Sequence, residues 1–379
     1  MIPEPVAAAL RRARRPVCAY VYDPTVAVAR IAALREALPP GTRVLYAVKA
    51  NGNPDLLHAV AAHADGLEVA SGGELDLALA AGARTIAFAG PAKTDGELSA
   101  AIAAHATIHV ESAHELRRLT HLAAGRPATA ALRVNRAADT PSGSHRMTGT
   151  PTPFGIAEED LDTLPRDTVP ITGFHLHAVS NNLDAAAHAA FVDDAVTWSL
   201  ATARRLGIDL TYVNAGGGFG IDYTGDTTFD LQRLRIRTPP PGVTLTVEPG
   251  RWIAADTGWY AAEVIDLKRN HGRWFAVLRG GTHHFRLPAA WGYSHPFTVL
   301  PVDDWPHPFP RPEVSDVAVD ATGELCTPRD VLTRGQHVAR LRVGDVLVFA
   351  RTGAYGWDIS HHDFLRHPYP EVKVLGSVG

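Results

Sequence analysis

Eight short, mostly apolar segments recur along the first two thirds of this chain, and their order constrains the fold more than any other feature. They are 43–50 (RVLYAVKA), 66–71 (GLEVAS), 85–90 (TIAFAG), 107–111 (TIHVE), 129–135 (TAALRVN), 171–177 (ITGFHLH), 209–215 (DLTYVNA) and 244–250 (TLTVEPG). Runs that are apolar throughout, rather than alternating, are those of parallel strands covered on both faces. Between them 73–82, 95–106 and 114–124 read as helices, with Ser71 and Ser112 placed as N-caps and acids in the first turn. A β-then-α unit repeated eight times predicts an α/β fold, a (β/α)8 barrel of the TIM type over 22–256. Beyond it, 259–267, 273–279, 315–320 and 345–350 read as strands with little helical periodicity. A C-terminal β domain over 257–379 is therefore expected, joined by a strand or helix from 1–21. The proline-rich stretches at 238–241 and 305–312 read as rigid loops.

Charge and cysteine content narrow the function. With 36 Lys+Arg against 40 Asp+Glu, the net charge of −4 provides no positive field to attract nucleic acid or an anionic membrane. Cys18 and Cys326 are too far apart in sequence for a CxxC metal site, and two cysteines make no disulfide framework. Arg11, Arg12, Arg14 and Arg15 read as a solvated helix face. They are not followed by an apolar stretch long enough for a signal peptide, and no run of 18 apolar residues occurs. A cytoplasmic protein is expected.

In such a barrel the site is built at the C-terminal ends of the strands. Those ends carry Lys49, Glu68, Glu111, Arg133, His177, Gly216 to Gly218, and Glu248 with Arg251, a heavy load of ionisable groups for one rim. Lys49 ends an apolar strand, where its ammonium is destabilised and an amine able to condense with an aldehyde results. The run from Asn214 to Gly220 follows the seventh strand, where barrels place backbone phosphate sites, and lacks the spacing of a dinucleotide fingerprint. A reactive lysine, a phosphate cradle, a stacking imidazole and a carboxylate on one rim suit pyridoxal 5′-phosphate.

The motifs YAVKAN (46–51), EVASGGEL (68–75), HLHAVS (175–180), GGGFGIDY (216–223), EPGR (248–251), ELCTPRDVL (324–332) and GAYG (353–356) occur in an order that resembles the fold-type III pyridoxal-phosphate-dependent decarboxylases. That group includes the diaminopimelate, ornithine and arginine decarboxylases and joins an alanine racemase-like barrel to a β domain. The resemblance implies that Lys49 carries the cofactor, that His177 lies against its ring, and that Ser180, Gly217, Gly218, Gly250 and Arg251 hold its phosphate. It also implies that Glu248 pairs with the ring nitrogen, that Glu68 and Arg133 lie near the ring, and that Tyr355 touches the cofactor. Cys326 would enter the site from the partner subunit of a homodimer. Lys49, His177, Glu248 and Cys326 are thus the expected catalytic residues. Racemases of this fold resemble the chain less, since they put arginine where Glu248 stands.

Three positions depart from the family pattern. Val179 stands where many relatives have glycine, Pro153 replaces a lysine, and Thr327 follows Cys326 where an acid is common. Without that acid a distal ammonium lacks its anion, and a polycarboxylate becomes the expected substrate. The segment 280–297 (GGTHHFRLPAAWGYSHPF) resembles decarboxylases of carboxylate-type siderophore pathways that act on a citryl-diaminopropionate conjugate. Arg286, His283, His284, His295 and Thr327 are the expected substrate contacts. The other readings are decarboxylation of a free diamino acid (diaminopimelate, ornithine or lysine), amino-acid racemisation, and a non-catalytic cofactor-binding protein. No metal is expected at His283, His284 and His295 or at His361, His362 and Asp363, because adjacent histidines usually diverge and no HExxH accompanies them.

Overall fold

The computed structural model describes residues 1–137, 141–165 and 167–376. After an N-terminal strand β1 (Cys18–Tyr22), eight strands follow in chain order: β2 (Arg43–Ala47), β3 (Gly66–Val69), β4 (Ile86–Phe88), β5 (Thr107–Val110), β6 (Thr129–Asn135), β7 (Ile171–His175), β8 (Tyr212–Asn214) and β9 (Thr244–Val247). Each of these eight pairs in parallel with the next, and β9 returns to β2 through Thr246 opposite Arg43 and Val247 opposite Val44. The sheet closes on itself, so every strand's C-terminal end lies on one rim. The barrel belongs to a compact unit formed by 27–222 and 227–253, and the second unit comprises 1–26, 223–226 and the chain from Ala254 onward.

Helices follow most barrel strands. Ser71 and Ser112 accept the backbone N–H of Glu74 and Glu115 at the starts of Gly72–Ala80 and Ala113–Ala123, and Thr94 forms a full capping box with Glu97 before Asp95–Ala103. The expected regular alternation fails twice. Among the described residues, the connections after β6 and β8 hold no α-helix: the first carries the two-residue strands His145–Arg146 and Ile156–Ala157 and the 3-10 turn Glu158–Thr163, the second the 3-10 turn Leu231–Arg233. Prolines 141, 151 and 153 with Gly143, Gly149 and Gly155 interrupt the first connection, and the Gly216–Gly220 run opens the second. Among the described residues no helix is long and apolar enough to cross a membrane.

In the second unit, β10 (Gly258–Asn270), β11 (Arg273–Leu278), β12 (Thr298–Leu300), β13 (Glu313–Thr322), β14 (Val331–Arg342), β15 (Val346–Phe349) and β16 (Glu371–Val374) join β1 in one sheet. Its order is β12-β15-β10-β11-β13-β14, with β1 antiparallel on β10 and β16 parallel on β1. The helix Glu4–Arg11 presents Val6 and Leu10 to a core containing Val17, Val21, Ala261 and Val348. Sequence reading missed β14, whose alternation is interrupted by Arg334 and Gly335 and which leaves much of one face to solvent.

One buried ion pair ties the barrel wall together. The Lys93 ammonium donates to Glu115 Oε1 at 2.6 Å and to the carbonyls of Gly90 and His109, while Glu115 Oε2 accepts the N–H of Glu111. Glu115→Ala would strand that ammonium in the interior, a loss of about 3–5 kcal/mol. Chemical denaturation should show it, and a variant as stable as the parent would contradict the role given to the pair.

Candidate active site

Strand β2 ends at Ala47, and the chain turns through the 3-10 segment Val48–Ala50, which brings Lys49 onto the rim. Its ammonium lies 2.6 Å from Glu68 Oε2 at the end of β3; Glu68 is only 1% exposed, whereas the lysine side chain keeps 40% exposure. Burial pushes the Glu68 carboxyl up, and the Lys49 charge partly offsets that. Gly250 packs beneath this turn. A Cβ there would meet the Ala47 and Ala50 methyls at 3.0 Å, so the backbone of the EPGR segment approaches the lysine turn as only glycine allows.

The glycine run is equally close-fitting. Gly217 N–H donates to His177 Nδ1 at 3.0 Å, and a Cβ on Gly216 would fall 2.4 Å from that same nitrogen. A neutral imidazole accepting at Nδ1 carries its proton at Nε2. Burial first, then the Lys49 and Arg133 charges, hold its pKa well below the usual histidine range. Ser180 lies one step on in the two-residue strand Val179–Ser180, and a Cβ on Gly218 would meet the Val179 carbonyl at 2.8 Å. Val179 itself is buried and extended, so the missing family glycine is not required by the backbone. Arg251 follows Gly250 and is 5% exposed.

Glu248 lies at the end of β9, 4% exposed. Asn214 Nδ2 donates to its Oε1 at 2.6 Å, and His175 Nε2 lies 3.2 Å from its Oε2. Asn214 is oriented by Gly216 N–H on its Oδ1. His109 stacks on His175 with ring centroids 4.1 Å apart. Both histidines are held neutral, His109 by burial and then by His175, His175 by burial and then by Arg133 and Lys49. His109, His175 and Glu248 offer atoms within 4.8 Å of one another, a spacing also compatible with a metal ion. Nearby, Arg133 donates to Glu111 Oε1 at 2.7 Å and lies under the Phe154 ring at 4.8 Å, while Gly90 and Gly155 N–H groups complete the Glu111 shell. Pro153 therefore precedes a segment fixed through Phe154 and Gly155.

The second unit holds the remaining expected residues. Cys326 is exposed, and Tyr355 stands at φ 54°, a left-handed conformation uncommon for a bulky residue. Asp330 accepts Thr282 N–H, Thr282 O–H and Leu325 N–H, which binds the ELCTPRD loop to the 280–283 turn. Between them opens a cavity of about 750 Å³ whose wall includes Arg286, Thr327, Arg329, Arg334 and His361. Burial and then the Arg286 charge lower the His361 pKa. His283, His284 and His295 are not on that wall. They are interior, at most 1% exposed: His284 Nδ1 lies 3.4 Å from Cys18 Sγ, His283 Nε2 lies 3.5 Å from Glu324, and His295 is held by Tyr293 and the Ala350 carbonyl. Nor do the adjacent rings of His283 and His284 diverge; their centroids are 3.7 Å apart.

The barrel residues suit a flat, phosphate-bearing pyridine aldehyde. Gly216 to Gly218 pack too closely on His177 and on the Glu248 and Val179 carbonyls for any side chain, which leaves their backbone bare, His177 presents a neutral ring, and buried nitrogens of His109, His175 and Arg133 lack hydrogen-bond partners. Bound there, pyridoxal phosphate would supply an electron sink for the carbanion left when CO2 departs. Lys49 can offer the amine, and Glu248 can accept an N–H from the ring. Sequence reading omitted His109, His175 and Asn214 from the site. His175 was signalled by its i, i+2 spacing from His177 and Asn214 by opening the glycine run, while His109 carried no local signal.

Residues 26–255 match the family model described as "Pyridoxal-dependent decarboxylase, pyridoxal binding domain". The chain is 39% identical to 2-[(L-alanin-3-ylcarbamoyl)methyl]-2-hydroxybutanedioate decarboxylase of Staphylococcus aureus, over 99% of this chain and 98% of that protein. It is 32% identical to L-glutamyl-[BtrI acyl-carrier protein] decarboxylase of Niallia circulans, covering 95% and 89%. The solved diaminopimelate decarboxylase of Helicobacter pylori superposes with a TM-score of 0.83 over 97% of this chain and 93% of its own, at 24% identity, and shows the same fold. The racemase and binding-protein readings give way to these matches. With a barrel rim that fits the cofactor and relatives that span nearly its whole length, the chain belongs to the pyridoxal-phosphate-dependent decarboxylases of fold type III.

Proposed function

We propose that this decarboxylase acts at Cα of an amino acid whose far end is a polycarboxylate, of the citryl-diaminopropionate kind, in the biosynthesis of a carboxylate siderophore or related metabolite. The observation that carries the proposal is the second unit's cavity. Arg286, Arg329 and Arg334 stand in its wall, none paired with a carboxylate among the described residues, and no Asp or Glu accompanies them. Such a wall suits an anion and disfavours the distal ammonium of lysine or ornithine. The name of the Staphylococcus aureus relative, an alanine unit joined through an amide to a hydroxybutanedioate with two carboxylates, agrees with it. The interior position of His283, His284 and His295 limits the proposed contacts to Arg286 and Thr327, with Arg329 and Arg334 added.

Decarboxylation of a free diamino acid is the second reading, and the number of diaminopimelate decarboxylases among the relatives favours it. Diaminopimelate also ends in a carboxylate, but its second ammonium would find no anion in the cavity wall. Release of CO2 from citryl-diaminopropionate, diaminopimelate, ornithine and lysine, compared by kcat/KM, decides between the two. Arg286→Ala should raise KM for the citryl conjugate about tenfold to a hundredfold, as for a lost charge-assisted hydrogen bond, with a smaller loss in kcat. Preferred turnover of a free diamino acid, with Arg286→Ala neutral, would refute the polycarboxylate assignment.

Within the barrel, the proposed roles are those of the family. Lys49 carries the cofactor, with Glu68 beside it; His177 lies against the ring; Ser180, Gly217, Gly218, Gly250 and Arg251 hold the phosphate; and Glu248 faces the ring nitrogen. Glu248→Gln should keep the cofactor yet lose about 2–4 kcal/mol of transition-state stabilisation. Full activity in that variant would contradict the assignment.

We also propose a cytoplasmic homodimer in which Cys326 serves the partner's site and Tyr355 contacts the cofactor. Mixing the inactive variants Lys49→Ala and Cys326→Ala tests it. Random reassortment makes half the dimers mixed, each with one intact site, so about a quarter of the parental activity should return. No recovery after demonstrated subunit exchange would exclude shared sites.

A further inference from the structure

Strand β14 departs from regular pairing where it borders the cavity of the second unit. Val319 of β13 lies opposite Gln336, Ala321 opposite Thr333 and Thr322 opposite Val331, so the stretch from Val331 to Gln336 carries two residues more than the strand it faces. Each extra residue is a β-bulge, and Gly335, at φ 64°, supplies the left-handed conformation that such an irregularity uses. The bulged stretch finds its hydrogen bonds elsewhere. Gly335 N–H donates to Asp320 Oδ1 at 2.8 Å, Arg334 N–H donates to Ser294 Oγ at 3.1 Å, and the Leu332 carbonyl accepts the His295 N–H. Gln336 then gives and receives a bond with the Phe297 backbone. A regular strand shows only alternate residues to one side, whereas Val331, Leu332, Thr333 and Arg334 all border the cavity.

We infer that the bulges place Arg334 as a specificity-determining residue, the second cation beside Arg286, so that the cavity favours a far end bearing two carboxylates over one bearing a single carboxylate. Gly335 is the positioning residue that lets the strand bulge there. The inference rests on the polycarboxylate reading above and sharpens it. Arg286 and Arg334 belong to separate elements: Arg286 precedes the short helix Leu287–Trp291, its N–H held by Ser360 Oγ at 3.0 Å, whereas Arg334 lies on β14. The bonds from 294–297 to 332–336 join those elements and set the spacing of the two guanidiniums. One carboxylate pairs bidentately with one guanidinium, so two guanidiniums held on different elements are satisfied together only by two carboxylates. Arg329 shares the wall but stands in the turn before the strand, its N–H on Thr327 Oγ1.

The test compares two substrates of the full-length enzyme loaded with pyridoxal phosphate, with CO2 release as the readout. Citryl-diaminopropionate carries two free carboxylates at its far end, and succinyl-diaminopropionate keeps the amide and one carboxylate. Arg334→Ala should raise KM for the citryl conjugate about tenfold or more, with kcat close to the parental value, and leave the succinyl conjugate nearly unchanged, so the preference for two carboxylates collapses. A Cβ on Gly335 meets no atom within 4 Å, so Gly335→Ala acts by disfavouring the left-handed backbone and should lower the preference several-fold. Gly335→Asn, whose side chain tolerates that conformation, should lose much less of it. Arg334 is exposed, so its truncation keeps the fold even where a Gly335 variant does not. Equal losses on both conjugates in Arg334→Ala would overturn the inference, as would a preference that falls with Arg329→Ala and not with Arg334→Ala. It is overturned as well if Arg334→Ala changes neither conjugate while Arg286→Ala raises the citryl KM. If Arg286→Ala and Arg334→Ala are both without effect and a free diamino acid is the better substrate, the polycarboxylate reading itself falls.

Discussion

The buried carboxylates of the barrel unit divide by what neutralises them, and the site depends on that division. Glu68 is paired with Lys49, Glu111 with Arg133 and Glu115 with Lys93, whereas Glu248 accepts the Asn214 amide N–H, stands 3.2 Å from His175 Nε2 and has, among the described residues, no lysine or arginine ion pair. A buried anion solvated only by neutral N–H groups is costly in a protein interior, because dipoles offset only part of the lost hydration. On the placement proposed above, a protonated pyridine nitrogen would be the opposing charge, and facing Glu248 it would make the ring a strong electron sink.

The other pairs serve geometry. Glu111 joins Arg133 to the N–H groups of Gly90 and Gly155, so it fixes three strand ends at once, and Lys93 reaches across to Glu115 and the carbonyl of His109. The His109 backbone is therefore anchored by the ion pair that stiffens the wall, while its side chain faces Glu248. Parallel pairing around a closed barrel gathers these ends on one rim. The same closure places Gly217 where its N–H can orient His177.

Most of this architecture could be read from the order of the apolar runs, because a parallel barrel strand is covered on both faces and carries a continuous signal. The gaps have physical causes. Helices were expected after β6 and β8, but proline and glycine interrupt those connections, whose described residues hold short strands and 3-10 turns and no α-helix. Strand β14 went unread because it pairs along an amphipathic edge interrupted by Arg334 and Gly335. At the site, groups that end a strand were legible, since any charged residue stands out against apolar neighbours. His109 was not, because one histidine inside an apolar strand gives no local reason to look for the Tyr212 hydroxyl, which lies 103 positions later in the chain.

The second unit shows why composition alone misplaces a substrate contact. The segment 280–297 is rich in histidine, and an anion site was expected from its imidazoles with Arg286. An imidazole, however, is small and tolerates burial as a neutral ring, whereas a guanidinium stays charged and must be solvated, paired or presented to an anion. The histidines accordingly fill the interior, where Cys18, Tyr293 and the Ala350 carbonyl stand within reach, and burial lowers the His284 and His295 pKa values to about 3 and about 4. Arg286 stays on the cavity wall, joined there by Arg329 and Arg334 from the loop that Asp330 ties to Thr282 and from the strand that follows it. The positive charge on that wall is therefore held by arginine, whose ionisation does not depend on pH in the physiological range, and the anion recognition proposed above should not titrate there.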